Sequence, residues 1–480
     1  MSSGTSLHIR DPELQAAQET LCRAVAAAGG RALLVGGTVR DALLDLPGKD
    51  LDIEVYGLDP ERLRGLLGEH FDLDLVGQSF GVLKIRHLEI DVSIPRRESK
   101  RGLGHKGFEI HSDPTLTVAE AARRRDFTVN AMAWDPLTDE LIDPAGGQDD
   151  LASRTLRHVS EQFAEDPLRV LRGMHFVARF GLEPAPETVA LCRGIEPEGL
   201  PRERIFDEWK KLILSGTEIS RGLDFLRATG WVGYYPELEA LIDCPQEPEW
   251  HPEGDVWVHT LHVMDAFAGE RLGDAREDLV VGLACLCHDL GKPGTTAFED
   301  GRIRSKGHEE AGEEPTRAFL ERLTNQRRLA DEVVPLVREH LKPILLYKAK
   351  SSAAAIRRLA RRVGRIDRLV RVCRADHAGR PPLPFDGFPA GAWLLRQAEN
   401  LAVAADQPKP IVMGRHLIAL GLEPGPHFKA LLDTCFEAQL DGDFSDLDAG
   451  LALARGLLES VNSGDEPCAD ATPSHDPATC

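Results

Sequence analysis

The sequence predicts an α/β head built on a mixed sheet, followed by a remainder that is all helical, and three observations predict it. In about the first 150 residues, short apolar runs alternate with glycine turns and short helices; Asp50-Leu51-Asp52-Ile53-Glu54-Val55 alternates polar and apolar at the period of a strand; beyond residue 150, apolar positions recur at helical spacing. A chain of 480 residues exceeds one ordinary core, so roughly two to four domains are expected.

Taken in order, Asp11-Pro12 opens a helix with a cap and a first-turn proline, and Gly29-Gly30 closes it. Ala32 to Val35 is then an apolar run with the character of a buried strand, ended by Gly36-Gly37. A short helix over about 38–45 and a Pro47-Gly48 turn lead into the strand at Asp50. A helix near 60–69 and strands over 72–76, 82–87 and 88–94 complete the head. After residue 150, helices fit 165–180, 203–214, 255–269, 278–287, 314–322, 331–339 and 353–372. From about Asn462 to Cys480 the chain holds little to bury and should be disordered.

With 42 % hydrophobic and 28 % charged residues, the composition is that of a globular protein. No leader pattern opens the chain and no apolar run reaches the roughly 18 residues of a membrane span, so no membrane association and a cytoplasmic location are expected. The 9 cysteines are scattered without CxxC pairs and are expected to be buried free thiols. The net charge of −21 sits awkwardly with a nucleic-acid partner unless basic residues cluster.

Side chains two apart on a strand share a face, so Asp50, Asp52 and Glu54 stand side by side while Leu51, Ile53 and Val55 pack opposite. Neighbouring carboxylates repel unless protonated or bridged, and Mg²⁺ favours such oxygen ligands with a substrate phosphate completing its shell. Alone, the pattern fits the solvated face of an edge strand better than a metal site. Just upstream, Gly36-Gly37 lies at a strand-to-helix turn, followed by Arg40 and Asp41; that turn suits a phosphate, with Arg40 as a charged donor.

The ordered combination Gly36-Gly37-Thr38-Val39-Arg40-Asp41 and Lys49-Asp50-Leu51-Asp52 resembles the head of polymerase-β-like nucleotidyltransferases, specifically the bacterial tRNA nucleotidyltransferase and poly(A) polymerase family. No P-loop or dinucleotide fingerprint competes with it. The resemblance spans about residues 30–430. It implies a third catalytic carboxylate on a later strand, for which Asp91 in Leu88-Glu89-Ile90-Asp91-Val92 is chosen beside Asp50 and Asp52. Arg123-Arg124-Arg125-Asp126-Phe127 is similar to the family's RRDF motif and places Arg125, with Asn130, near the nucleotide.

Glu165-Asp166-Pro167-Leu168-Arg169 resembles the family's EDxxR motif, which implies that Asp166 and Arg169 act as an amino-acid template for the base of CTP or ATP. The hydrogen bonds make sense: arginine donors meet the acceptors of cytosine or adenine, and the carboxylate accepts from the exocyclic amine. Arg172 continues that face, and His175 stands where many relatives carry an arginine for the triphosphate. Arg204 and Glu208, in a segment similar to the family's ERI…E motif, are expected to brace the neck helices.

His259, His288-Asp289, His308, His340 and Asp376 form an ordered series resembling the HD metal-dependent phosphohydrolases. Imidazoles and carboxylates suit a divalent transition metal that activates water against a phosphoester. Relatives with such a domain hydrolyse 2′,3′-cyclic phosphates or 2′-phosphates, which implies trimming as well as rebuilding of tRNA ends.

The layout implied is a nucleotidyltransferase head (1–150), a helical neck with the base-reading motif (151–240), an HD domain (241–380), a helical C-terminal segment (381–461) and a disordered tail (462–480). Expected partners are tRNA, CTP and ATP, and the expected reaction is CCA addition with release of pyrophosphate. The alternatives are A-only addition, poly(A) synthesis, or a phosphohydrolase whose head merely binds RNA. The basic loop Pro95–Lys106, Arg123 to Arg125 and an arginine face over Arg357, Arg358, Arg361, Arg362, Arg365, Arg368 and Arg371 are offered as a track for tRNA phosphates; a solvated helix paired to acidic neighbours is the alternative for the arginine face.

Overall fold

Asp11 accepts hydrogen bonds from the backbone N–H groups of Glu13 and Leu14, and Pro12 presets the first turn, so the first helix, α1 (Pro12–Ala27), starts where the sequence dictates. The computed structural model describes residues 7, 9, 11–47, 50–74, 82–100 and 108–462. The head continues with β1 (Arg31–Val35), α2 (Gly37–Leu43), β2 (Leu51–Tyr56), α3 (Pro60–Gly68), β3 (Leu73–Asp74), β4 (Val82–Ile85), β5 (Ile90–Ser93), β6 (Arg96–Lys100), β7 (Phe108–Ser112), α4 (Val118–Ala122), β8 (Ala133–Asp135) and β9 (Glu140–Ile142).

The strands form a seven-stranded sheet in the order β3-β4-β5-β2-β1-β8-β9. It is mixed: β2 and β5 run parallel and the other pairs antiparallel. In β2 the alternation anticipated from the sequence holds, with Leu51, Ile53 and Val55 buried beneath the sheet while Asp52 faces outward.

Helices dominate thereafter: α5 (Gly147–Ala152), α6 (Leu168–Phe180), α7 (Pro186–Arg193), α8 (Arg202–Ser215), α9 (Ile219–Ala228), α10 (Pro236–Glu239), α11 (Val256–Gly269), α12 (Ala275–Cys287), α13 (Lys292–Thr295), α14 (His308–Ala311), α15 (Glu313–Leu323), α16 (Arg327–Arg338), α17 (Lys342–Lys348), α18 (Ala353–Val363), α19 (Ile366–Ala378), α20 (Pro389–Asn400), α21 (Gly414–Ala419), α22 (Pro426–Asp441) and α23 (Leu447–Asn462). One apolar core runs from Ala17 to Val403, and a separate cluster of Val412, Leu417, Cys435, Phe444 and Ala454 holds the C-terminal helices. The described cysteines are all free and buried. Among the described residues no helix is long and apolar enough to cross a membrane.

Several expectations need correction. Residues 353–372 are two helices, because Gly364 adopts φ +74° and ends α18. The basic segment from Pro95 enters a strand, β6, antiparallel to β7, while its Arg101–Lys106 part lies outside the described residues. The helical half also carries small sheets: β10 (Thr155–Leu156) beside β11 (Glu183–Pro184), and the hairpin β12 (Thr296–Glu299) with β13 (Arg302–Ser305). Residues 75–76 of an expected strand, Gly48 and Lys49, and the tail beyond 462 lie outside the described residues.

Candidate functional sites: a carboxylate cleft and a histidine cage

β1 delivers the chain to Gly36, whose φ of +67° suits glycine, and a Cβ there would sit 3.0 Å from a guanidinium nitrogen of Arg125. Thr38, at the start of α2, then ties the turn to the strand beside it: its hydroxyl donates to the Asp50 carbonyl (3.2 Å) and accepts from the Asp52 N–H (3.1 Å). Asp50 and Asp52 are thereby fixed next to the Gly36-Gly37 turn. In the parallel pairing of β2 and β5, Asp91 is the direct neighbour of Asp52, and its carboxylate meets Lys84 at 3.1 Å.

Desolvation by the cleft walls raises the Asp52 carboxyl, Arg125 opposes this, and Asp91 and Asp50 reinforce it, leaving the group above its ordinary range. A carboxylate made costly first by desolvation and then by neighbouring carboxylates is one that a divalent cation would stabilise, and the all-oxygen donor set fits Mg²⁺.

Asp126 anchors the floor of the same cleft. Burial disfavours its charge, but Arg172 at 2.6 Å and the Asn130 amide at 3.0 Å pull it down to about 2. Asn130 in turn accepts from Arg40 at 2.5 Å, and Arg40 also grips Asp41 at 2.6 Å with its guanidinium over the rings of Phe180 and Phe176. Arg40, expected to reach a phosphate, is thus buried with hydrogen bonds already committed, and the chain Asp41–Arg40–Asn130–Asp126–Arg172 welds α2 to α6. No sequence pattern distinguished Asp126 as its hub.

Asp166 precedes α6, accepting from the Leu168 N–H (3.1 Å) and from Arg204 of α8 (3.0 Å). Arg169 donates to the carbonyls of Gln162 (3.0 Å) and Arg124 (2.6 Å). His175 is buried, its Nδ1 2.6 Å from a Glu208 oxygen, while Lys211 holds the other oxygen at 2.8 Å. Arg204 and Glu208 therefore do not pair with each other; each ties α8 to the α6 region. Gly36, Gly37, Arg40, Asp50, Asp52, Arg125, Asp166, Arg169, Arg172 and His175 all line one cleft, joined by Arg179 and Lys211, which sequence reasoning had not singled out. Asp91 lies in an adjoining recess with Asp52, Arg124 and Arg125.

The second cluster is closed. His259 comes from α11, His288 and Asp289 from the end of α12, His308 from α14, His340 from just beyond α16, and Asp376 from α19; all are buried. Gly291 is required because a Cβ there would collide with the His308 carbonyl. Three rings turn Nδ1 to a backbone carbonyl: His288 to Cys285 (2.7 Å), His308 to Ser305 (2.7 Å) and His340 to Val337 (2.6 Å). That fixes the tautomer and points each Nε2 inward, where His288 meets His259 at 3.2 Å and His308 meets His340 at 3.3 Å. Inward lone pairs at these distances repel unless a cation lies among them, so the donor set fits a transition metal.

Asp289 stands at the centre, one oxygen 3.3 Å from His308 and the other 3.1 Å from His288 and 2.7 Å from Lys292. Asp376 is 3.2 Å from His259 and 2.6 Å from Arg380. Burial opposes both carboxylate charges, yet His288 and Lys292 hold Asp289, and Arg380 and His259 hold Asp376, well below the ordinary range. Burial also pushes His340 down to about 3, keeping it a neutral donor. Lys292 and Arg380, and Glu253 at 2.8 Å from the His259 Nδ1, were not singled out from the sequence.

The proposed arginine track is corrected. The residues of the arginine face fall on α18, on α19 and, for Arg365, on the extended residue that precedes α19, and they find acids: Arg358 and Arg361 meet Glu437, Arg362 meets Glu339, Arg365 and Arg368 meet Glu277, and Arg371 meets Asp278, while Arg357 donates to the Leu440 carbonyl. The alternative of acidic pairing holds, and these residues bind the fold together.

Family models place both clusters in known company. A model described as a poly A polymerase head domain matches residues 32–157, and one described as an HD domain matches residues 256–372. The chain is 38 % identical over 390 residues to a multifunctional CCA protein of Xylella fastidiosa (strain M23), covering 78 % of this chain and 90 % of that one. It is likewise 38 % identical over 369 residues to a multifunctional CCA protein of Laribacter hongkongensis (strain HLHK9), covering 74 % and 87 %. Among solved structures, the Bacillus stearothermophilus CCA-adding enzyme in complex with CTP has a similar fold, with a TM-score of 0.65 at 24 % identity over 94 % of this chain and 99 % of that one.

Proposed function

The chain belongs to the family of multifunctional CCA proteins, and from that premise we propose that it rebuilds the 3′ CCA end of tRNA from CTP and ATP, with a metal-dependent phosphohydrolase as its second centre. The observation that carries the proposal is the convergence, on one cleft, of the Gly36-Gly37 turn, the Asp50 and Asp52 carboxylates and the Asp166–Arg169 pair.

Asp50, Asp52 and Asp91 would hold Mg²⁺, which supplies activation of the RNA 3′-hydroxyl and neutralises charge developing on the phosphate. The 3′-oxygen attacks the α-phosphorus of CTP or ATP in line, a new P–O bond forms, the bond to the β-phosphate oxygen breaks, and pyrophosphate leaves. Backbone N–H groups at the start of α2 face the triphosphate, and Arg125 and Arg172 add positive charge beside it. Asp166 accepts from the exocyclic amine of cytosine or adenine and Arg169 donates to the ring acceptors. Uracil and guanine offer a carbonyl where the amine is wanted, leaving charged groups unpaired.

In the histidine cage, His259, His288, Asp289 and Asp376 would hold one transition-metal ion and His308, His340 and the far oxygen of Asp289 a second. The ions would supply an activated water for hydrolysis of a phosphoester at a damaged tRNA end. Lys292 and Arg380 offset the carboxylate charge around them.

The test supplies purified protein and Mg²⁺ with tRNA lacking CCA or ending in CC, adds CTP and ATP separately and together, and sequences the 3′ ends. Defined CCA ends are expected. Addition of A only to CC ends would narrow the enzyme to A addition, long A tails would mean poly(A) synthesis, and no extension with intact tRNA binding would leave only the phosphohydrolase.

A further inference from the structure

The histidine rings of the cage are not braced alike. His288, His308 and His340 each give Nδ1–H to a neutral backbone carbonyl from their own neighbourhood. His259 differs: its Nδ1 lies 2.8 Å from the Oε1 of Glu253, with the Gly379 carbonyl further off at 3.1 Å. Glu253 has a fully buried side chain, and its Oε1 also contacts the Nδ1 of His251 at 2.8 Å. Its Oε2 is buried with no hydrogen-bond partner among the described residues. An ionised carboxylate placed there, rather than an amide or a hydroxyl, is costly to the fold and needs a compensating role.

A carboxylate behind a metal-bound imidazole fixes the ring's orientation and makes its far nitrogen a stronger donor than a carbonyl does. The half of the cage containing His259 has this backing from a fully buried carboxylate at 2.8 Å; in the other half His308 and His340 turn to carbonyls at 2.7 and 2.6 Å, and the partly exposed Glu309 carboxylate stands further from the His308 Nδ1, at 3.5 Å.

We propose that Glu253 is a positioning residue that makes the two halves of the cage unequal, so that the ion held by His259, His288, Asp289 and Asp376 binds first and tighter, and the ion held by His308 and His340 binds second. The proposal rests on the two-ion reading of the cage given above. His251 is the outer clasp: it fills the second contact of Oε1 and keeps the carboxylate turned toward His259.

The test is a Co²⁺ titration of the full chain in excess Mg²⁺, followed by visible absorption, which reports nitrogen-ligated Co²⁺ and is silent on an oxygen-only site filled by Mg²⁺. Wild type should bind in two steps of different affinity. Glu253→Gln keeps the shape and removes the charge; it should weaken the first step by ~10–100-fold and leave the second within about twofold. His340→Ala should abolish the second step and spare the first. His251→Gln should weaken the first step less than Glu253→Gln does. A Glu253→Gln protein whose first step is unchanged overturns the role of Glu253, as does loss of the tighter step in His340→Ala. A single step in wild type overturns the two-ion reading and with it the filling order, and is distinguishable from the other failures because it is seen before any substitution. Thermal unfolding of each metal-free variant separates a misfolded protein from a weakened site.

Discussion

Asp52 in the head and Asp289 in the helical half are both carboxylates set for a divalent cation, yet Asp52 faces an open cleft while Asp289 is 2 % exposed. The surroundings differ in kind. Around Asp52 stand other carboxylates and the glycine turn, a hard oxygen site that needs substrate phosphate to complete a metal shell; around Asp289 stand four imidazoles with tautomers already fixed. On the proposed reading the first site would be completed by the nucleotide, whereas the protein alone brings the second set of donors together. The difference teaches that ligand type and closure are the two means by which one chain can favour different ions at two sites.

The largest effects expected would break this comparison outright. Asp52→Ala should lower nucleotide addition by at least ~10³-fold, as expected when charge stabilisation in a transition state is removed, while tRNA binding and Co²⁺ uptake by the cage persist. His288→Ala should do the reverse, abolishing phosphoester hydrolysis and leaving addition within about twofold. If either substitution silences both activities in a folded protein, the sites are not independent and the comparison fails.

Next in size is nucleotide choice. Arg204 and the Leu168 N–H hold the Asp166 carboxylate from two sides, so Arg204→Ala should free it to turn. Preference for CTP and ATP over UTP and GTP, measured as a ratio of kcat/KM, should then fall by about tenfold, equivalent to ~1.4 kcal/mol. Unchanged discrimination with only a lower melting temperature would make Arg204 purely a brace.

What was readable in the sequence and what was not divides along contact distance. The alternation of β2, the cap of α1 and the ordered motifs are local, and the structure brings Asp50, Asp52, Asp166 and Arg169 to one cleft and the histidines to one cage. Two missed features depend on partners far along the chain, Asp126 with Arg172 and the arginines of α18 and of the start of α19 with Glu277, Glu339 and Glu437. Glu253 and His259 are close in sequence, but the irregular turn and helix start between them carry no periodicity from which their contact could be read. Helical spacing showed that those arginines share faces; it carried no information on what lies opposite. The break at Gly364 was local, but an isolated glycine inside an apolar periodicity is as compatible with a continued helix as with a cap.

A smaller effect concerns pH. Burial lowers the His175 pKa despite Glu208 beside it, so the folded protein resists protonating this ring more than the unfolded chain does. Its contribution to stability is therefore present above the ordinary histidine value near 6.5 and is lost as pH falls below it. Glu208 opposes burial through His175 and Lys211 and sits at about 2, so its contribution is present above 4.5 and is lost on the way down to 2. The neck should thus lose stability in two acid stages, and Glu208→Gln should remove the lower one in urea-melt measurements at stepped pH. The histidine cage, whose His340 stays neutral far into acid, would not follow the same course with metal bound.

The smallest effect is expected where α18 meets α22. Arg358 and Arg361 reach Glu437 and Asp441, but each partner is between about a third and a half exposed, so solvent and salt screen the attraction. Replacing Arg358 by Ala should cost under ~1 kcal/mol and less in high salt. The same variant also probes whether these arginines touch RNA. A phosphate contact would appear as a reduced salt slope of tRNA affinity, by about one unit per lost contact. Because the guanidinium groups are already turned to carboxylates, the slope should stay unchanged, and a drop would mean that tRNA competes those acids away and that the charge of this helix pair serves binding after all.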